Sequence, residues 1–408
     1  MKTVLFQSSR RSAPAVCGLL CVLCLTGADW RQFRGTGVNG VAVDGDVPSS
    51  FSSEENVAWK LDLPGRGLSG PIVVGDRIYV TASSGFRQDR LHVLCFDRQS
   101  GDRIFERQFW ATGRTMCHPK MCVATPTPAS DGKRIFASYS SNDVACLDLD
   151  GNLLWYRGLT RDYPNASNSL GMSSSPIVVD ETLIVQVEND ADSFAVGIDV
   201  ETGRSRWKKT RPKRANWTSP AFLTDRESGR TLVLLQSSAG VECVEPRTGK
   251  QVWEYGEGAS TIPSSVVVGD TVLIPSSGLT VVRSSVDGPP ETLWNDNRLA
   301  PATASPLVVD GRVFVVNRAG VLQAADVTTG SLLWRLRLKG PFSSTPVAAG
   351  NKLIFFNEKG AAQIVDVSGE EGQLVGEGDF GETILATPAI SGKDLFVRSD
   401  SHLWRISQ

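Results

Sequence analysis

The sequence predicts an all-β protein, an eight-bladed β-propeller whose ring is closed by an N-terminal strand. Two recurring patterns predict this fold. A small residue followed by proline precedes short apolar segments, and between them a turn glycine is followed four residues later by an aromatic residue. The chain has 408 residues, with 39 glycines and 21 prolines and no Gly-x-y period, which favours a turn-rich fold over a helical bundle.

Residues 1–28 are predicted to be a signal peptide. Lys2, Arg10 and Arg11 precede an apolar segment, and Thr26-Gly27-Ala28 places small residues where a signal peptidase cleaves. The apolar segment is about half as long as a membrane span requires. We therefore expect an exported protein, periplasmic or secreted, that is cleaved near Ala28. Retention of the segment as an anchor is the alternative.

The proline pattern marks the start of each blade. It occurs in seven places, and Ser264-Ser265 is a degenerate eighth copy. The residues before proline are Gly70, Thr127, Ser175, Ser219, Ser305, Thr345 and Thr387. Eight repeats predict eight blades in one domain that covers residues 29–408.

Each repeat is predicted to contain four antiparallel strands. The third strand ends in an acidic residue that opens a turn, at Asp97, Asp199, Glu245 and Asp326. A carboxylate there can accept hydrogen bonds from the backbone of its own turn. The aromatic residue of the fourth strand is Phe105, Trp155, Trp207, Trp253 or Trp334, with Trp294 displaced by a Pro-Pro insertion. We expect these large side chains to pack against the neighbouring blade.

Ring closure follows from the two ends of the pattern. The last repeat has three strands and ends at Gln408, while residues 57–61 form an isolated strand with Trp59 twelve residues before Pro71. The N-terminal strand is therefore predicted to complete the eighth blade, which would pair both exposed sheet edges.

These repeats resemble the pyrroloquinoline-quinone (PQQ)-type propeller family, and the segment Asp29-Trp30-Arg31-Gln32-Phe33-Arg34-Gly35 resembles its secreted BamB-like members. The resemblance implies the propeller fold. It implies either a quinone-dependent dehydrogenase or a non-enzymatic scaffold that presents a binding face. Dehydrogenases of the family carry two adjacent cysteines over the cofactor, and no two cysteines are adjacent after residue 28. We therefore expect no cofactor, with PQQ and calcium as the alternative.

Five cysteines follow the predicted signal peptide. Cys95, Cys146 and Cys243 each lie two residues before the acidic turn residue, at a position predicted to be in the core. Cys117 and Cys122 share one loop and are predicted to form a local disulfide in an oxidising compartment. Metal binding by this pair with His118 is the alternative.

Local motifs reveal no nucleophile, base and acid in one place. His92 and His402 are interpreted as residues of third strands, and Ser83-Ser84-Gly85 is interpreted as a turn.

Loop lengths predict the binding face. Extra residues in the first three repeats fall in segments 85–90, 110–124, 156–171 and 188–193, and in an up-and-down blade these connections share one face. Insertions in repeat proteins often gather on the binding face. The candidate binding residues are Arg87, Arg90, Arg114, His118, Lys120, Arg157, Arg161, Tyr163, Asn165 and Asn168.

The sequence thus predicts a binding or scaffold protein of the bacterial cell envelope. We expect an envelope protein or polysaccharide as partner, only indirect membrane association and a monomer. A formal net charge of −2 gives no electrostatic signature of nucleic-acid binding. A quinone- or metal-dependent oxidoreductase is the alternative function.

Overall fold

The computed structural model describes residues 29–166, 170–225, 228–285 and 288–408. The predicted signal peptide and Asn168 therefore lie outside the described residues. The described chain forms 33 strands and one short helix, α1 (Leu159–Asp162).

The strands form eight sheets, one for each predicted blade. Two strands precede the first blade, β1 (Val41–Ala42) and β2 (Val57–Asp62). Blades 1 to 4 contain β3 (Ile72–Val74), β4 (Arg77–Ser84), β5 (Arg90–Asp97) and β6 (Arg103–Trp110); β7 (Ala129–Ser130), β8 (Arg134–Ser138), β9 (Asp143–Asp148) and β10 (Leu153–Gly158); β11 (Ile177–Val179), β12 (Thr182–Val187), β13 (Phe194–Asp199) and β14 (Ser205–Thr210); and β15 (Ala221–Thr224), β16 (Thr231–Ser237), β17 (Gly240–Val244) and β18 (Gln251–Tyr255). Blades 5 to 8 contain β19 (Val266–Val268), β20 (Thr271–Pro275), β21 (Leu279–Arg283) and β22 (Glu291–Asp296); β23 (Leu307–Val309), β24 (Arg312–Val316), β25 (Val321–Asp326) and β26 (Leu332–Arg337); β27 (Val347–Ala349), β28 (Lys352–Phe356), β29 (Ala361–Asp366) and β30 (Gln373–Asp379); and β31 (Ala389–Ser391), β32 (Asp394–Arg398) and β33 (His402–Ile406).

The blades are arranged around a central channel. First strands of neighbouring blades contact one another, for example β7 with β11 and β3 with β31, so the first strands line the channel. Second and third strands are almost entirely buried, whereas fourth strands at the rim consist mainly of exposed and half-buried residues. The predicted eight-bladed β-propeller is confirmed. We call the side with the connections between second and third strands, and between blades, the loop face; the opposite side is the turn face.

Acidic residues stabilise the turns that follow the third strands, as predicted. The Asp97 carboxylate accepts hydrogen bonds from the backbone N–H groups of Gln99 and Ser100, each at 2.8 Å. The same bonds recur at Asp199 and Asp326. These bonds hold the pKa of each carboxyl below its usual value, although partial burial acts in the opposite direction.

Aromatic residues of the fourth strands join each blade to the next. The indole Nε1 of Trp155 donates to Val200 O at 3.0 Å, and the ring packs on the turn that contains Gly203. Gly203 has a φ of +69°, and a Cβ at that position would lie 2.7 Å from the indole ring. Glycine is therefore required at this turn both by its backbone conformation and by the close approach of the tryptophan.

The N-terminal strand closes the ring. Strand β2 pairs antiparallel with β33, with Trp59 opposite Arg405 and Asp62 opposite His402. Blade 8 therefore consists of three strands from the C-terminus and one from the N-terminus, as the repeat spacing predicts.

Residues 29–42 run along the first strands at the channel, a placement that the repeat pattern did not predict. Trp30 and Val73 exchange two backbone hydrogen bonds of 2.9 Å at blade 1, and Arg34 Nη2 donates to Ser265 O at 2.8 Å beside blade 5. Strand β1 then pairs in parallel with β27 of blade 7. This segment, which we call the plug, therefore contacts first strands on several sides of the ring.

Candidate functional site: a central cup

A cup of about 400 Å³ opens within the channel. Phe33 of the plug lines it, together with the apolar side chains of Leu68, Leu170, Trp217, Ile262 and Leu385. His118, Lys120 and Glu358 add charged or titratable groups from loops of the loop face. The plug and the loop face thus jointly form a concave site of a size typical for small ligands or for an inserted side chain.

A ring of hydroxyl groups surrounds the cup. It consists of the small residues that begin the blades: Thr127, Ser175, Ser219, Ser264, Ser305, Thr345 and Thr387, all of which line the cup. Each hydroxyl oxygen accepts a hydrogen bond from the backbone N–H of the corresponding residue in the preceding blade, at 2.9 to 3.3 Å. We call these residues the hydroxyl ring.

Gly70 takes the eighth position of the hydroxyl ring. A Cβ there would lie 2.6 Å from Thr387 O and 3.2 Å from Thr127 Oγ1. The ring therefore has seven hydroxyls for eight blades, with the gap at the junction of blades 8 and 1. A hydroxyl that accepts one hydrogen bond can also donate one, and Ser175 uses its O–H to donate to Ser173 O at 3.4 Å.

The loop 110–124 extends across the ring beside the cup. Lys120 Nζ lies 2.7 Å from Glu358 Oε2, which joins this loop to blade 7. Burial would raise the pKa of Glu358, but hydrogen bonds from Lys120 and Ser343 outweigh it, and the pKa lies below its usual value. On the other side, His118 N donates to Leu170 O at 3.0 Å. Two of the long connections thus pack against each other at the cup.

Positive charge lies next to Phe33. The Arg34 guanidinium carbon is 5.3 Å from the centroid of the Phe33 ring, and burial lowers the pKa of Arg34 to about 9. In the described part of the chain, Arg34 Nε and Nη1 have no hydrogen-bond partner. Arg34 itself does not line the cup, whereas Lys120 and the hydroxyl ring do, and their donors favour a ligand or partner group rich in acceptors.

The candidate binding residues fall into separate groups. Of those described, His118 and Lys120 line the cup. Arg90 stacks on Trp110, whereas Arg157 pairs with Asp162 at 2.5 Å. Tyr163 packs on Phe194 with ring centroids 3.9 Å apart. The remaining described candidates, Arg87, Arg114, Arg161 and Asn165, are exposed.

The structure holds all five described cysteines as free thiols. Cys95, Cys146 and Cys243 are buried on third strands, as predicted. The predicted disulfide between Cys117 and Cys122 is not formed. The physical reason is that the two side chains face different surroundings: Cys122 is fully buried in the core of blades 1 and 2, whereas Cys117 is half-buried with its Sγ 3.5 Å from Met121 O.

Metal binding at this loop has no structural support either. His118 Nδ1 accepts a hydrogen bond from the Lys120 backbone at 3.1 Å. Across the described residues, no group of three or more His, Cys, Asp or Glu side chains is placed to hold a metal ion.

The cup does not fit a calcium-bound quinone. Calcium takes six to eight oxygen ligands, usually with carboxylates among them. In the cup lining the carboxylate comes from Glu358, and it is already paired with Lys120. Among the described residues, the lining therefore lacks the set of oxygen ligands that calcium requires.

Comparison with known proteins identifies the family. A family model described as outer membrane protein assembly factor BamB matches residues 41–213, 107–288 and 280–375. The chain belongs to the BamB family of PQQ-repeat propellers. This membership agrees with the repeat pattern and with the eight observed blades.

The relatives of this BamB-family chain include BamB proteins and a dehydrogenase. BamB from Burkholderia pseudomallei is 23% identical over 351 residues, which cover 82% of each chain. BamB from Legionella pneumophila is 22% identical over 51% of this chain and 54% of that protein. A polyvinylalcohol dehydrogenase from a Pseudomonas species is 24% identical over 69% of this chain, but the match covers 46% of the enzyme.

Solved structures show the same fold. BamB from Moraxella catarrhalis superposes with a TM-score of 0.64 at 16% identity, over 85% of this chain and 96% of that one. A europium-containing methanol dehydrogenase superposes with a TM-score of 0.71 at 12% identity, over 93% and 98% of the two chains. At these identities the structures establish the fold, whereas the function has to be argued from the site.

No helix in the described ranges is long and apolar enough to cross a membrane.

Proposed function

We propose that this BamB-family propeller is an exported, non-enzymatic binding and scaffold protein of the bacterial cell envelope. In this proposal an envelope protein docks on the loop face, around the cup. The observation that carries the proposal is the joining of the two longest connections beside the cup, where His118 N donates to Leu170 O. The names of the BamB relatives, outer membrane protein assembly factors, support an envelope role.

The chemistry of the cup supports a partner with acceptor groups. Lys120 and the hydroxyl ring supply donors, whereas Leu68, Trp217 and Ile262 supply apolar surface. A protein segment with an acidic or amide side chain next to an apolar one would satisfy both. A polysaccharide would use the hydroxyl ring and Trp217 instead.

The test compares loop deletions on the two faces. Shortening residues 110–124 and 156–171, separately and together, is expected to abolish partner capture from an envelope fraction. The matched control shortens the turn 225–230 on the turn face and is expected to capture the partner normally. Capture that survives both loop deletions would place the binding surface elsewhere. Melting temperatures show whether each variant remains folded.

An oxidoreductase is the second candidate function, because the chain is similar to a polyvinylalcohol dehydrogenase. Purified protein would be titrated with PQQ and Ca²⁺ and assayed for dye reduction with alcohols. We expect no PQQ-dependent reduction, because Glu358, the carboxylate that lines the cup, is already paired with Lys120. Reduction that depends on PQQ would overturn the non-enzymatic proposal.

A further inference from the structure

Three polar side chains of blade 1 form a continuous hydrogen-bonded chain across β4, β5 and β6. Ser84 Oγ lies 2.6 Å from His92 Nε2, and His92 Nδ1 lies 2.7 Å from Glu106 Oε1. The strand register pairs Ala82 with His92 and Leu94 with Glu106. Paired residues, and residues two apart in a strand, share one face of a sheet. The three side chains therefore lie on the same face of blade 1, away from the cup lining.

The charge of Glu106 determines which imidazole nitrogen of His92 donates and which accepts in these hydrogen bonds. Burial would raise the pKa of Glu106, but hydrogen bonds from His92 and Gln108 outweigh it, and the pKa lies below its usual value. Arg103 adds an ion pair at 2.8 Å. A carboxylate beside Nδ1 retains the ring proton on that nitrogen, which leaves Nε2 as the acceptor for the Ser84 hydroxyl. Serine, imidazole and carboxylate are thus ordered as in acyl-transfer enzymes.

We propose that Ser84 is a nucleophile for acyl transfer from carboxylic esters, with His92 as its general base and Glu106 as the positioning residue that orients the imidazole. This activity replaces the non-enzymatic part of the proposed function. It leaves the scaffold role around the cup unchanged, because none of the three residues lines the cup.

The reaction uses an ester and water. Ser84 Oγ attacks the carbonyl carbon while its proton passes to His92 Nε2. The bond to the alcohol oxygen then breaks, and the alcohol leaves with that proton. Water attacks the resulting acyl-serine and gives one proton to His92. Release of the carboxylic acid returns the proton to Ser84 Oγ, so both residues end in their starting states.

The surroundings of Ser84 favour aryl esters. Ser84 is partly exposed, whereas the imidazole of His92 is 3% exposed, so a substrate can reach the hydroxyl while the base is shielded. Arg90 lies directly opposite Ser84 in the strand register, where its charge can stabilise a developing oxyanion. The Arg90 guanidinium is 5.2 Å from the centroid of the Trp110 ring, which is 64% exposed. Trp110 offers a surface on which an aromatic group can stack.

The first test is covalent labelling of the full mature chain with a fluorophosphonate probe, followed by intact mass and peptide mapping. We expect one adduct, on Ser84, and no adduct in Ser84→Ala. Ser83→Ala is the matched control, because Ser83 is buried on the opposite face with its Oγ 3.1 Å from Gln88 Oε1. It should label normally. Absence of a Ser84 adduct in the wild type, or an equal adduct in Ser84→Ala, would overturn the proposal.

The second test separates catalysis from structure. With 4-nitrophenyl acetate, His92→Gln is expected to reduce the rate of acyl-serine formation by about 100-fold, the usual effect of losing a general base. Glu106→Gln should lower that rate and also shift the midpoint of its pH profile downward, because a neutral amide makes the imidazole harder to protonate. A purely structural role would change the melting temperature and leave the pH midpoint unmoved. That outcome would contradict the role assigned to Glu106.

Discussion

Trp59 packs on Gly101 across the seam where the ring closes. The indole Nε1 donates to Arg98 O at 3.1 Å, and a Cβ on Gly101 would lie 3.0 Å from the indole ring. Trp59 belongs to the N-terminal strand and Gly101 to the turn after the third strand of blade 1. The same pairing joins internal blades, for example at Trp155 and Gly203. The closing seam therefore uses the same contact as the seams between consecutive repeats.

Truncation of Trp59 should destabilise the whole ring. We expect Trp59→Ala to lower the free energy of unfolding by about 3 kcal/mol, since a large apolar contact is lost at the closure. Urea denaturation provides the measurement. Trp253→Ala, at an internal seam, is the comparison and should cost at least as much because Trp253 is more deeply buried. A Trp59→Ala midpoint equal to that of the wild type would show that β2 does not hold the ring closed.

The hydroxyl ring should contribute to stability through its acceptor oxygens. Ser219→Ala leaves the buried N–H of Ser175 without its acceptor, which should cost about 1–3 kcal/mol in the free energy of unfolding. Ser219→Thr retains the hydroxyl and is the matched control. Thermal and chemical unfolding of both variants measure the difference. Equal losses in the two variants would mean that packing, and not the hydrogen bond, determines this position.

A methyl group at the gap of the hydroxyl ring should also be destabilising. Gly70→Ala would place a Cβ 2.6 Å from Thr387 O, a distance that requires the backbone to move. We expect a loss of about 1–3 kcal/mol in the free energy of unfolding, the usual range for overpacking. Gly256→Ala is the control, because a Cβ on Gly256 would have no neighbour within 4 Å and its φ lies outside the left-handed region. Urea denaturation of both variants provides the measurement, and equal midpoints would contradict the overpacking at Gly70.

Thiol reactivity should distinguish Cys117 from the other cysteines. Burial raises the pKa of all five thiols, and it raises that of Cys95 and Cys146 to about 12. Cys117 is half-buried, however, whereas the other four cysteines are buried. At pH 8 their thiolate fractions are small and their sulfurs are covered. In a chain that begins at Asp29, we expect a maleimide to modify Cys117 first in the native protein and all five thiols after denaturation. Three reactive thiols after denaturation would instead indicate a disulfide.

The turn carboxylates should make stability depend on pH in the acid range. Hydrogen bonds from Thr202 and Arg206 lower the pKa of Asp199 to about 2, from an ordinary value of 3.8. Its contribution is therefore fully present above about pH 4 and is lost as the pH falls through 2. Asp199→Ala should lower the free energy of unfolding by about 1 kcal/mol near pH 7, a small value because the carboxyl is partly exposed, and the difference should disappear well below pH 2. Asp190→Ala, at an exposed position, is the control. A pH-independent difference would contradict this assignment.

Much of the fold could be predicted from the repeats, because each blade is a local unit. The turn carboxylate of Asp97, the glycine of its turn and the tryptophan of a fourth strand occur at fixed separations along the chain. Closure by β2 was also predictable, since a strand was missing at one end and present at the other. The face that bears the long connections follows from strand alternation alone.

The composition of the cup required the tertiary structure. The proline pattern identified Ser219 and Ser264 as the starts of blades, but only the ring geometry places the hydroxyl of one against the amide of the other. Phe33 and Arg34 gave no sequence signal of a plug, because the plug contacts strands of several blades that are far apart in the chain. Cys117 and Cys122 are close in sequence, yet their side chains enter different surroundings.

The number of blades, their order and the strand that closes them follow from the amino-acid sequence, because those properties depend on contacts between neighbours in the chain or between its two ends. Which side chains converge depends on the tertiary structure. Ser84, His92 and Glu106 lie on three successive strands, and their separations of 8 and 14 residues match no local motif. Their alignment depends on the register of β4, β5 and β6, which is set when the blade packs.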